Sequence, residues 1–379
     1  MFSAVLKLLA ILAVSGAFAL WIDHRSATVL PQPSGAYPVG RSIQDWRESD
    51  HELLAWIWYP AAAPSSVPDD YLPAYVRAAY NRNDNPIFRL LERDRAKVHG
   101  HSIRDAAISP RQPSFPVVIF RGGASAEVSG YSVLVEDLAS HGYIVVGMDA
   151  PGRTGIVAFP DGRVVTRLDQ NNVEFCQAGG EVESACVDDL LHSWTADIAF
   201  AVDHLTTRGP FTGHLDLTNL GVFGHSFGGA QAAEFCHDDP RCKAAIDIDG
   251  LVFANFAREA AHQPFMFLFS DQINSTSAEA RQVRAQLDAV YERLPQATRS
   301  RFFIRGSNHF LFSDEPSFID SHIVMRTLRG LGVLGIDGPR QLAATAYLVR
   351  TFFDVHLKNQ DPSLLRNASA LYPEIRGLP

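Results

Sequence analysis

The residues best equipped for chemistry lie in the run Gly224-His225-Ser226-Phe227-Gly228. A serine with a glycine two places to either side is the G-x-S-x-G arrangement, in which a strand turns sharply into a helix and lifts the hydroxyl clear of the sheet. Leu220, Val222 and Phe223 supply a short apolar strand before the turn, and Gly229, Ala230, Ala232 and Ala233 continue a small helix face after it. Gly224 and Gly228 stand where strand and helix converge, a place with no room for a Cβ. An ordinary strand-to-helix turn could use the same glycines. The apolar strand and the small helix face together favour a nucleophile.

A serine hydroxyl attacks a carbonyl only when a base takes its proton and a third group fixes that base's tautomer. In folds built around this turn, the acid and the histidine follow the serine. The downstream histidines are His237, His262, His309, His322 and His356. His309 follows the run Arg301–Arg305 through Gly306-Ser307-Asn308, a loop at a strand's C-terminal end, where α/β sheets place their sites. His237 and His262 lie in polar loops, and His322 and His356 in helical contexts, so His309 is the expected base. Asp249 and Asp271 each end a strand after the serine, and Gly250 permits a turn that would expose Asp249. Asp247 lies inside its strand, where a carboxylate needs a buried partner. On residue type and position, Asp249 and Asp271 are level. The tetrahedral oxyanion needs backbone donors: the N–H of Phe227 and one from the loop after Pro116–Phe120.

Positioning these groups takes a sheet. Leu53–Tyr59, Pro116–Phe120, Tyr143–Met148, Ala244–Ile248 and Phe265–Phe269 are apolar runs, the mark of strands buried on both faces. Between them lie amphipathic stretches at Tyr131–His141, Asp188–Leu205, Ser277–Leu294 and Gly338–Leu357. The alternation predicts an α/β domain over residues 31–379, with a mostly parallel sheet covered by helices on both faces. Ala61–Arg95 reads as a surface excursion. Residues 153–187 show no period and contain Asp161-Gly162, Asn171-Asn172 and Gly179-Gly180, so they are expected to form a substrate-facing loop or cap.

The chain has 379 residues, 46% hydrophobic and 20% charged, with a formal net charge of -9. No basic surface argues for nucleic acid. Residues 1–22 differ in kind: Lys7 precedes the uncharged run Leu8–Ile22, and Ala17-Phe18-Ala19 resembles a small-x-small cleavage site. This reads as a secretory signal, or as an uncleaved anchor through which the protein would associate with a membrane. Either exports the rest of the chain. Four cysteines in two local pairs, Cys176 with Cys186 and Cys236 with Cys242, predict two disulfides in an oxidising compartment. No C-x-x-C spacing points to metal or redox chemistry, and no cofactor is expected.

The chain resembles the plasma-type platelet-activating factor acetylhydrolase family and its bacterial esterase and lipase relatives. The likeness rests on Tyr37-Pro38-Val39-Gly40, Trp58-Tyr59-Pro60, Leu138-Ala139-Ser140-His141-Gly142, Gly224–Ala230, Ala244–Gly250 and Gly306–Asp314. It implies an α/β-hydrolase fold and a serine carboxylester hydrolase acting through Ser226, His309 and Asp249. In that family the acid closes the strand after the serine's helix, and Ile248-Asp249-Gly250 matches, 23 residues after Ser226. Asp271 stays as runner-up. Matching the family's His-Gly-x places the second oxyanion donor at Ala124, although Gly122 stands where the family usually has histidine. The implied substrate is a small ester or lipid: short or oxidised acyl groups on phospholipids in the family, broader esters among the bacterial relatives. Phe227, Phe253, Phe256, Phe310 and Phe312 could line an acyl pocket. The competing readings are a dienelactone-type hydrolase or peptidase on the same fold, and a non-catalytic lipid-binding relative.

Overall fold

The computed structural model describes residues 2–49, 51–62, 68–83, 93–178, 181–182, 184–207, 209–259, 261–318, 330 and 335–378. Its centre is a ten-stranded sheet. In chain order the strands are β1 (Val39–Glu48), β2 (His51–Pro60), β3 (Ile103–Arg104), β4 (Phe115–Arg121), β5 (Ile144–Asp149), β6 (Leu215–His225), β7 (Cys242–Ile248), β8 (Phe265–Ser270), β9 (Arg299–Ile304) and β10 (Ile375–Gly377). Across the sheet they run β10-β9-β8-β7-β6-β4-β5-β2-β1-β3. From β5 through β4, β6, β7 and β8 to β9 every pairing is parallel. Antiparallel pairs join β1 to β2, β2 to β5 and β9 to β10.

The helices are α1 (Phe2–Arg25), α2 (Ala74–Asn83), α3 (Ser132–Ser140), α4 (Ser184–Thr206), α5 (Phe227–Asp238), α6 (Ala278–Arg293) and α7 (Gly338–Leu357), with shorter turns between them. Alternating strand residues serve opposite layers. Val118 and Phe120 of β4 face α2, α3 and α7, while Val117 and Ile119 face α4, α5 and α6. Burial on both faces explains why β4 and β5 are apolar up to their last residues, Arg121 and Asp149.

Two stretches depart from the sequence expectation. β1 begins at the end of the proline- and glycine-rich stretch Pro31–Gly40 and runs as a long strand paired residue for residue with β2. Its run VGRSIQDWRE is half-exposed near the sheet edge, so it lacks an apolar signature. Residues 153–187 contain a small hairpin, Ile156–Ala158 with Val164–Thr166, and single helical turns at Asp169–Asn171 and Val173–Cys176. Elements this short cannot display a period. Gly179, Gly180 and His322 lie outside the described residues.

Both disulfides form as paired, Cys176–Cys186 and Cys236–Cys242. Such bonds persist in oxidising compartments outside the cytosol. Helix α1 exposes Ile11, Leu12, Val14, Phe18 and Ile22. Among the described residues no helix is long and apolar enough to cross a membrane.

Candidate active site

Three parallel strands end together and carry the site: β6 leads to Ser226, β7 to Asp249, and the loop after β9 to His309. Ser226 has φ 56° and ψ −124°, a strained conformation for a residue with a Cβ, of the kind found at functional turns. The neighbours impose it. A Cβ on Gly224 would overlap the Gly228 carbonyl, and one on Gly228 would overlap the carbonyls of Arg121 and Gly122. The Ser226 N–H donates to Ile248 O at 2.8 Å, which ties the turn to the end of β7.

Beneath the turn, Arg121 is fully buried. It donates to Gln231 Oε1 and Met148 O, both at 2.8 Å, and lies 3.6 Å from Asp197, so β4, β5, α4 and α5 are held together by one guanidinium. Asp197 is also paired with Arg153 at 2.8 Å.

The three side chains form a hydrogen-bonded line. Ser226 Oγ lies 3.0 Å from His309 Nε2, and His309 Nδ1 lies 2.9 Å from Asp249 Oδ2. The other Asp249 oxygen accepts the Ser270 N–H at 2.7 Å. Asp249 sits at φ 54°, beyond the strand end, which turns its carboxylate toward His309. Asp271 is engaged elsewhere: Oδ2 accepts the Gly306 N–H at 2.7 Å and Oδ1 accepts from Asn274 at 2.8 Å. It shapes the loop leading to His309 without meeting its ring. Asp247 is fully buried, and burial drives its pKa well above the usual carboxylate range; its Oδ1 accepts the Gly250 N–H at 2.9 Å.

Phe227 begins α5, and Ala124, in the loop after β4, lines the same cleft as Ser226 and Phe227. Among the described residues no hydrogen bond engages either N–H. Gly122 is required here, because a Cβ would come within 2.7 Å of Ala126 O in a turn closed by the Ala126 N–H to Gly123 O bond. A histidine at 122 would not fit this loop. His237 pairs with Asp238, and His356 packs on Phe352.

Sequence reasoning missed a second layer. His225 Nε2 lies 2.9 Å from His309 O, its Nδ1 lies 2.8 Å from Tyr131 Oη, and that hydroxyl accepts the Gly123 N–H at 3.4 Å. Burial lowers the His225 pKa to about 3, so the ring is neutral, donating from Nε2 and accepting at Nδ1. Asp314 is buried, and its carboxylate accepts the N–H groups of Ser132 and Val133 at 2.7 and 3.0 Å and the Tyr71 hydroxyl at 3.1 Å. Burial raises its pKa to about 7 against the pull of those donors. Asp314 thus pins the far end of the His309 loop to the first turn of α3. Its signal was present in the Gly306–Asp314 stretch; Tyr131 had none.

Ser226 lies at the junction of two clefts. One, of about 520 Å³, is lined on its polar side by Tyr71, Tyr80, Arg95, Glu127, Tyr131 and Glu315, and on its apolar side by Leu72, Phe310 and Phe318. The other, of about 720 Å³, is lined on its apolar side by Val173, Leu251, Phe253, Phe269, Ile273 and Leu287. Of the five phenylalanines singled out, Phe227 and Phe253 line the second cleft, Phe310 lines the first, and Phe256 and Phe312 are core.

The family described as platelet-activating factor acetylhydrolase, isoform II, matches residues 23–161 and 198–361, well over half of the chain. The chain belongs to this family. A relative from Arthroderma benhamiae, named a probable 1-alkyl-2-acetylglycerophosphocholine esterase, is 26% identical over 92% of this chain and 94% of its own. The platelet-activating factor acetylhydrolase of Cavia porcellus is 27% identical over 53% of this chain and 48% of its own. The solved ferulic acid esterase from Streptomyces cinnamoneus superposes with a TM-score of 0.76 at 24% identity, covering 93% of this chain and all of that one, a likeness of fold. This acetylhydrolase-family chain has the α/β-hydrolase fold and is a serine hydrolase of carboxylic esters.

Proposed function

We propose that Ser226 is the nucleophile, His309 the general base and Asp249 its orienting acid, with the N–H groups of Phe227 and Ala124 as the oxyanion hole. The observation that carries this reading is the line Ser226 Oγ–His309 Nε2–His309 Nδ1–Asp249 Oδ2, with steps of 3.0 and 2.9 Å. Ser226 Oγ attacks the ester carbonyl while its proton passes to His309 Nε2. The carbonyl oxygen takes up the negative charge between the two backbone donors. Collapse of the intermediate expels the alcohol, which takes the proton back from His309. Water then attacks the acyl-enzyme by the same route, releasing the acid and restoring Ser226. Asp249 holds Nδ1 protonated throughout, and the Ser270 N–H holds Asp249.

The clefts divide the substrate by chemistry. The cleft with Val173, Leu251, Phe253 and Ile273 suits an apolar acyl chain. The other, with three tyrosines, Arg95, Glu127 and Glu315, suits a polar or zwitterionic alcohol such as a glycerophosphocholine, the type named for the fungal relative. We assign residues 1–22 to export, cleaved or retained as a tether, and 31–379 to one catalytic domain.

Kinetics of point variants on p-nitrophenyl acetate test the assignment. Ser226→Ala is expected to lower kcat about a millionfold. Asp249→Asn should lower it about ten-thousandfold, while Asp271→Asn stays within a few-fold. Full activity in Ser226→Ala, or a larger loss in Asp271→Asn than in Asp249→Asn, would overturn it.

A further inference from the structure

The family match is interrupted between residues 161 and 198, and that interval holds a built feature of this chain. Asn172, Val173 and Glu174 form one wall of the larger cleft, facing Phe253 and the Ile273–Leu287 side. This wall is anchored at both ends. Upstream, Asn171 Nδ2 donates to Gly152 O at 2.7 Å, and the Leu168 N–H donates to the same carbonyl at 2.9 Å. Downstream, Cys176 is buried and bonded to Cys186 in the first turn of α4.

The anchored segment packs on the catalytic turn itself. Cys176, Val187, Leu191 and Trp194 form one apolar cluster with Phe227 and Ala230, and Val173 and Phe253 lie against it. Trp194 meets the Phe227 ring edge-on at 5.2 Å. An insertion clamped to the nucleophile's own helix cannot swing aside without disturbing this cluster. A wall so held limits how far an acyl chain reaches from Ser226.

We infer that residues 172–176, fixed by the Cys176–Cys186 bond, are the acyl-length gauge of this enzyme, with Val173 the residue that meets the chain. The inference rests on the proposed Ser226 mechanism and on the acyl assignment of the larger cleft. The cleft, of about 720 Å³, has room for acyl groups longer than acetyl, and it is the fixed wall at Val173 that limits how far they run.

The test is kcat/KM for p-nitrophenyl acetate, butyrate, octanoate and palmitate in the full chain. A second series holds the acetyl group fixed and varies the alcohol. Cys176→Ser with Cys186→Ser, and separately Val173→Ala, should raise the palmitate-to-acetate ratio about tenfold, the scale on which one or a few methylenes are discriminated. Val173→Trp should lower the octanoate-to-acetate ratio by a similar factor. Cys236→Ser with Cys242→Ser should leave both ratios at wild-type values. The alcohol series should not move in any variant.

Unchanged acyl ratios in Val173→Trp and Val173→Ala would overturn the gauge, even if the cysteine pair variant fails to fold. A shift in the alcohol series in place of the acyl series would overturn it too, by reversing the cleft assignment. Failure of the underlying mechanism is a separate result: it appears as activity retained in Ser226→Ala, whatever the ratios do.

Discussion

The proposed proton path is short, but residues outside it hold His309 where the path needs it. Asp314 fastens the end of the His309 loop to Ser132, Val133 and Tyr71. Its pKa, raised to about 7 by burial, makes that fastening pH-dependent. Between the unfolded carboxyl value of about 4 and about 7, the folded chain keeps a proton that the unfolded chain has lost. The contribution of this group to stability is therefore full below about pH 4 and declines as pH rises to about 7. Denaturant unfolding of wild type and Asp314→Asn at several pH values should show the wild-type advantage shrinking across that window and level above it. A difference that stays flat from pH 4 to 8 would contradict the assignment. Ser226 and His309 are legible as candidates because each needs a particular residue type just past a strand end. The choice between Asp249 and Asp271 was not legible from residue chemistry, because both close strands. It turns on where each carboxylate points, and the backbone at φ 54° decides that for Asp249.

Strands and helices matter here through what their ends present. The buried cores of β4 through β8 were readable as apolar runs, whereas β1 was hidden by its polar, half-exposed face. The loop after β4 and the loop after β9 come from distant parts of the chain, and the Tyr131–His225 pair spans them, joining Gly123 to His309 O. No sequence period marks such a strut. Tyr131→Phe removes the hydroxyl while keeping the ring packed on Phe120. Losing a hydrogen bond worth about 1–1.5 kcal/mol of positioning should lower kcat about tenfold. KM on p-nitrophenyl acetate should stay within about twofold, because neither cleft loses its shape. A raised KM with kcat intact would instead make Tyr131 a substrate contact.

For the whole molecule, export and catalysis are separable on this account. Helix α1 presents exposed apolar side chains at Ile11, Leu12, Val14, Phe18 and Ile22, while the cleft residues all lie beyond residue 70. Deleting residues 1–22 should leave kcat/KM on a soluble ester within about twofold and shift the protein from the exported to the cytosolic fraction. Loss of hydrolysis in a folded deletion variant would tie α1 to the site. The formal net charge of -9 favours solubility.

The central claim is that Ser226 carries the acyl group. The most direct measurement is stoichiometric reaction with a fluorophosphonate, followed by peptide mass spectrometry and residual esterase assay. One equivalent of label on the peptide containing Ser226, with activity lost in proportion, is the predicted result. Inactivation with the label on another residue, or full labelling of Ser226 with activity intact, would contradict it.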